Sequence, residues 1–269
     1  MGASALEHDL AAARFGIGAG PGAQGIRILM PAYNEADSIE SVLREFHKSV
    51  ADPLRSPILV CEDGSTDRTK EVLSRLALEL PVEVISDKLR LGYAGGVKRG
   101  LLLAGGQAVF FSDSDGQYDP EDFWKLVDGF SDVDMVVGRK VKRREPFYRG
   151  VLAWGFHTLA RVLFGVPFHD MDCGFRIIRR SYVHGVIDAT VSLPYSFWAE
   201  FTILGFLRGF RIKEVPISHR SRLAGGSTIY EPKRLPRILL VQFLGLLRLR
   251  RRLRIEGRLP RPPADGNPA

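Results

Sequence analysis

Ala108-Val109-Phe110-Phe111-Ser112-Asp113-Ser114-Asp115-Gly116-Gln117 is an apolar run of strand length that stops on two carboxylates. The run Ala108 to Ser112 reads as a strand. Asp119-Pro120 then opens a helix, because proline is tolerated in a first turn. The same alternation extends outward. Upstream, Ile26 to Met30, Ile58 to Cys61 and Val82 to Ser86 read as strands. Helices follow them at Asp37 to Val50, Asp67 to Leu80 and Ala94 to Leu103. Downstream come a helix over Pro120 to Phe130 and a strand over Val133 to Val137. Short apolar runs alternating with helices predict an α/β, three-layer fold with a mostly parallel central sheet.

In such sheets ligands bind at the carboxyl ends of the strands. Those positions are Pro31-Ala32-Tyr33-Asn34-Glu35, Glu62-Asp63-Gly64-Ser65, Asp113-Ser114-Asp115 and Gly138-Arg139. Residues two apart on an extended strand end point the same way, so Asp113 and Asp115 can aim two carboxylates at one point. Hard oxygen donors of that kind suit Mg²⁺ or Mn²⁺ carrying a diphosphate. Turn and cap chemistry is the alternative reading and stays open. A calcium loop is disfavoured, since Tyr118 and Trp124 stand where glycine and glutamate would be needed. Glu62 and Asp63 offer more carboxylates than a cap by Ser65 requires, and can accept from a base or a ribose hydroxyl. Gly92 opens a helix whose backbone N–H groups can meet a phosphate, and close helix packing explains its glycines equally well.

Beyond Arg139 the regularity breaks into a basic loop, an aromatic-rich stretch from Phe147 to Phe168, and a strand over Phe175 to Ile178. A helix over Phe197 to Leu207, a strand over Ile212 to Ile217, a loop and a last amphipathic helix complete the chain. The boundaries expected are a loose segment 1–25, a catalytic domain 26–232, a basic helix 233–254 and a tail 255–269.

The chain has 269 residues, 45% hydrophobic and 26% charged, which is ordinary globular composition. Two cysteines cannot build a disulfide framework, and no Cys/His cluster has zinc spacing, so a reducing, cytosolic setting is expected. Glu7, His8 and Asp9 stand where a signal peptide would be apolar. The longest apolar candidate, Ile238 to Leu247, is too short to span a bilayer and has arginine at both ends. The net charge of +7 is local: ten basic residues against Glu256 lie between Lys233 and Arg261. That segment calls for an anionic surface.

Together these motifs resemble family-2 glycosyltransferases with a GT-A (Rossmann-like) fold, and among them the polyprenol-phosphate (dolichol-phosphate) sugar synthases. The likeness runs from about Ile26 to Arg250 and adds Asp172-Cys173-Gly174-Phe175-Arg176 and Glu214-Val215-Pro216-Ile217 with Arg220 and Gly226-Ser227. It implies a donor nucleotide site on residues 31–35, Glu62, Asp63, Ser65, Arg90, Gly92, Asp113 and Ser114. It implies a metal on Asp113, Asp115 and Gln117. An acceptor phosphate would be held by Arg139, Arg149, Arg176, Arg220 and Ser227. Cys173 and Thr228 depart from the family's usual serine and lysine. No tryptophan follows an arginine, so the processive synthases' Gln-x-x-Arg-Trp signature is absent and single-sugar transfer is expected.

The expected reaction is a metal-dependent, inverting transfer of one hexose from a nucleotide diphosphate sugar to a polyprenyl or dolichyl phosphate. Asp115, Arg139, Arg220 and Asp172 are the expected catalytic residues. The partners are that donor, that acceptor and an anionic membrane under the basic helix, with no nucleic acid. The protein would sit peripherally on the cytoplasmic face of the cell membrane. A transferase acting on a soluble glycan, metabolite or protein is the alternative.

Overall fold

The computed structural model describes residues 25–86, 89–141, 147–222 and 235–259. The loose N-terminal segment, most of the tail and Ser227 lie outside these, as does the side chain of Arg149.

Among the described residues, seven strands form one sheet in the order β3-β2-β1-β4-β6-β5-β7. They are β1 (Ile26–Ala32), β2 (Ile58–Glu62), β3 (Val82–Ser86), β4 (Ala108–Ser112), β5 (Met135–Lys140), β6 (Phe175–Arg179) and β7 (Ile212–Ile217). Only β6 runs against the rest, pairing antiparallel with β4 and β5. The helices are α1 (Ile39–Phe46), α2 (Thr69–Glu79), α3 (Gly92–Leu103), α4 (Asp122–Asp128), α5 (Phe147–Phe164), α6 (Arg180–Val186), α7 (Phe197–Leu207) and α8 (Leu235–Ile255).

Strand β4 shows why the sheet is buried on both faces. Phe110 packs on one side against Phe123 and Phe175, with ring centroids 4.6 and 5.0 Å away. Phe111 points to the opposite side and meets Trp198 edge-on at 4.5 Å. Each fully buried aromatic of this kind contributes about 1.5–3 kcal/mol. Two apolar cores result, one on each face. Strand parity carries past the last hydrogen-bonded pair, so Asp113 leaves β4 on the Phe111–Trp198 side.

The order of strand addition reverses at β1, with β2 and β3 laid down on one flank and β4 on the other, all parallel. That is the switch point where an open parallel sheet leaves a crevice. Because β6 is antiparallel, its entry loop reaches the same edge as the exits of the other strands. Phe175 pairs with Ser112, and the Asp113 N–H donates to the Gly174 carbonyl at 3.2 Å.

Several placements differ from expectation. The first helix passes into a π turn at His47–Ala51 instead of running on to Val50. Strand β5 starts at Met135 and continues to Lys140, because its pairing with β7 extends to Lys140–Ile217. Arg139 therefore lies inside a strand rather than after one. The last helix docks on the protein, burying Ile238, Leu246, Leu249 and Leu253, while an apolar remainder stays exposed.

Candidate active site

Three strand exits are knitted into one pocket wall. Asn34, at φ +53°, donates its backbone N–H to the Ser65 hydroxyl at 3.0 Å, and its side-chain carbonyl accepts from the Thr66 N–H at 2.8 Å. The Glu35 N–H donates to the Thr69 hydroxyl at 2.9 Å. Asp63 accepts from the Leu91 N–H at 2.6 Å, tying the β2 exit to the start of α3. The Arg90 guanidinium lies 3.8 Å from the centre of the Tyr33 ring. A flat cation on an aromatic face makes a platform on which a base can stack.

Glu62 is corrected. It is 1% exposed, its carboxylate accepts the Ser65 N–H, and the Lys70 ammonium stands 3.8 Å away. It braces the turn through the Ser65 N–H and is covered from solvent. Ser65 and Ser114 are likewise nearly covered, and Ala32 contributes through its backbone, its carbonyl accepting the Asp63 N–H.

At the β4 exit, the Tyr93 hydroxyl donates to Asp113 Oδ1 at 2.8 Å and accepts from Trp198 Nε1 at 2.8 Å. A side chain at Gly174 would collide with the Asp113 carboxylate. Asp115 accepts from the Gln117 N–H at 3.1 Å. Burial, then repulsion from Asp115, pushes Asp113 up to about 7. Burial also raises Asp115, opposed by the Arg222 guanidinium. Burial raises Asp172 to about 6 against a hydrogen bond from Ser196. Two carboxylates that resist ionising beside one another create a demand for positive charge.

Two cations meet that demand, and neither was singled out from sequence. Arg222 lies 3.3 Å from Asp115 and 3.4 Å from Glu35. The charge of Lys140 acts on Asp113, Asp115 and Asp172. Their neighbours had been expected instead. Arg220 is held by Glu45 at 2.7 Å and Asp119 at 2.8 Å, and its N–H fixes the Gln117 carbonyl at 2.8 Å. Arg139 is exposed, one residue before Lys140 on the alternating strand. Alternation along the β5 end was the available signal for Lys140.

Arg176 is a further correction. It is fully buried, donates to the carbonyls of Cys173 and Met171 and to the Thr202 hydroxyl, and lies 4.1 Å from the Trp198 ring centre. Its hydrogen bonds hold the 171–174 loop, and its guanidinium is covered from solvent.

Among the described residues no group of three or more His, Cys, Asp or Glu could hold a metal. Asp113 and Asp115 bring two hard oxygen donors to the β4 exit. They fit a hard cation that takes its other ligands from water and phosphate.

Residues 27–186 match the family described as glycosyl transferase family 2. The chain is 31% identical over 213 residues to polyprenol monophosphomannose synthase of Mycolicibacterium smegmatis, covering 74% of this chain and 79% of that protein. It is 33% identical over 213 residues to the dolichyl-phosphate hexose transferase of Haloferax volcanii, covering 77% and 87%. The fold matches Mycobacterium tuberculosis glucosyl-3-phosphoglycerate synthase, solved with Mn²⁺, UDP-glucose and phosphoglyceric acid. That match has TM-score 0.67 and 21% identity, over 93% of this chain and 85% of that one. The strand exits thus gather in a GT-A fold, and the chain is a glycosyltransferase belonging to glycosyl transferase family 2.

Proposed function

We propose that this enzyme moves one hexose from a nucleoside diphosphate sugar to the phosphate of a polyprenyl or dolichyl chain, with inversion, at a membrane surface. The observation that carries the reading is the Arg222 guanidinium 3.3 Å from Asp115 at the switch-point crevice, with the charge of Lys140 acting on both Asp113 and Asp115. Asp113, Asp115 and Gln117 would hold Mg²⁺ or Mn²⁺. Such an ion, when bound, supplies charge stabilisation to the departing diphosphate. Tyr33 and Arg90 stack on the base, and Asp63 accepts one of its N–H groups. Arg222 and Lys140 screen the negative charges of donor and acceptor as they approach each other.

A phosphate monoester has a second pKa of about 6, so at neutral pH the acceptor is already largely a dianion. It needs placement more than a base. Asp172 is then an orienting group, and would turn general base only toward a sugar hydroxyl.

Names of the relatives support the lipid acceptor, and so does the surface. Leu240, Leu244 and Leu247 of α8 are exposed and continue on the same side into Arg251 and Arg254. On α5, Trp154 is 68% exposed and Val162 76%. An apolar strip ending in arginines suits the headgroup boundary of an anionic leaflet. No helix among the described residues is long and apolar enough to cross a membrane.

The test is to incubate the protein with radiolabelled GDP-mannose or UDP-glucose, Mn²⁺ and vesicles containing undecaprenyl phosphate, then extract with organic solvent. Label in the organic phase is expected. Label confined to water with every donor would reject the lipid acceptor in favour of a soluble one.

A further inference from the structure

Helix α8 carries one residue that its packing does not explain. Gln242 is 6% exposed on a face otherwise built from Ile238, Gly245, Leu246, Leu249 and Leu253. Among the described residues its carbonyl oxygen has no hydrogen-bond partner. A buried amide with an unsatisfied acceptor costs stability that leucine or methionine would not. Its Nε2 donates to the Ser196 hydroxyl. Ser196 is the N-cap residue of α7, three residues before Ala199, whose N–H donates to the Asp172 carboxylate, and the Ser196 side chain lowers the pKa of Asp172. The Gln242 amide N–H is the donor and the Ser196 hydroxyl oxygen the acceptor.

Two further contacts bring α8 to the same turn. Glu200, 1% exposed, accepts the N–H groups of Val191, Ser192 and Leu193 at 3.1, 2.6 and 2.8 Å, and Arg252 of α8 at 3.1 Å. A side chain at Gly245 would come within 2.7 Å of Leu193 and 2.8 Å of the Ser192 carbonyl. Helix α8 therefore lies directly on the segment that enters α7. From the first turn of α7, the Ala199 N–H donates to Asp172 at 3.2 Å, and Trp198 reaches Tyr93 and through it Asp113.

We infer that Gln242 is a positioning residue: through Ser196 it sets the orientation of Asp172, so that the seating of the C-terminal helix tunes the acceptor side of the site. This deepens the proposed function and rests on it for the role of Asp172. Helix α8 is also the helix with the exposed apolar strip. Whatever its outer face binds is thereby coupled to a carboxylate in the crevice.

The test uses the full-length protein with Gln242→Met, Ser196→Ala and the double variant. Methionine keeps the volume and removes both polar atoms, so the melting temperature should hold or rise. Turnover should fall about tenfold, with the donor KM within about twofold. The double variant should be no worse than Ser196→Ala alone, since Gln242 acts through that hydroxyl. Hydrogen exchange at the Ala199 amide, read by NMR, should quicken in both single variants whether or not sugar is transferred. If wild type binds and transfers no sugar, the functional reading fails while the exchange rate still decides the coupling. Exchange at Ala199 unchanged in Gln242→Met, or additive losses in the double variant, would overturn the inference.

Discussion

The Tyr93 hydroxyl stands between Trp198 and Asp113, accepting from the indole and donating to the carboxylate, each at 2.8 Å. It joins α3 and α7 to the tip of β4 and fixes the direction in which Asp113 presents its charge. Tyr93→Phe leaves a buried indole N–H unpaired, a loss of about 1–3 kcal/mol. The expected outcome is a lower melting temperature and a weaker response to Mn²⁺, with turnover down about tenfold or more. Metal titration of activity checks this, and an unchanged half-saturating Mn²⁺ concentration would count against the role.

Asp113 supplies a pH signature. Its folded pKa is raised to about 7 from the ordinary 3.8, chiefly by burial and next by Asp115. The folded state therefore binds this proton more tightly than the unfolded chain does. Its stabilisation is complete below the unfolded value and is lost as pH rises toward 7. Without divalent cations, the melting temperature should fall across that window. Asp113→Asn should flatten the fall, raise the midpoint at pH 8 by several degrees at ~2–4 °C per kcal/mol, and abolish transfer. Melts in EDTA from pH 4 to 8 provide the measurement.

Arg222 and Arg220 should separate. Arg222→Gln removes the cation beside Asp115 and Glu35 and should cut kcat/KM by about a hundredfold or more. Arg220→Gln breaks partly exposed ion pairs, each worth about 0–1 kcal/mol, and should cost little turnover. Steady-state kinetics on the two variants decides, and equal losses would restore Arg220 to the site.

Arg176→Met deletes a buried donor to the Cys173 and Met171 carbonyls. It should destabilise the protein by about 3–5 kcal/mol. Chemical denaturation reads that loss. A variant of normal stability with a raised acceptor KM would instead return Arg176 to phosphate binding.

Paired substitutions Leu240→Glu and Leu244→Glu alter exposed positions, so the melting temperature should stay within about 1–2 °C. Sedimentation with anionic vesicles should fall, and undiminished sedimentation would move the lipid contact elsewhere.

Much of the fold was legible locally. The helix Phe197–Leu207 and the strand Ile212–Ile217 match their expected bounds. The acidic exits of β1, β2 and β4 announced themselves because a buried parallel strand is a bare apolar run, and charge can appear only where it ends. Asp113, Asp115 and Tyr33 were expected from that rule, and Arg90 from the family resemblance. Sequence could not say that β6 runs antiparallel between β4 and β5, since partner and direction are choices made by segments far apart in the chain. That insertion carries the 170–174 loop to the crevice, sets Arg176 under it rather than in it, and lets Trp198 reach Tyr93. Selection of Lys140 over Arg139 and of Arg222 over Arg220 has the same origin. Side-chain direction depends on where a strand stops and how the following loop returns, and pairing across the sheet decides both.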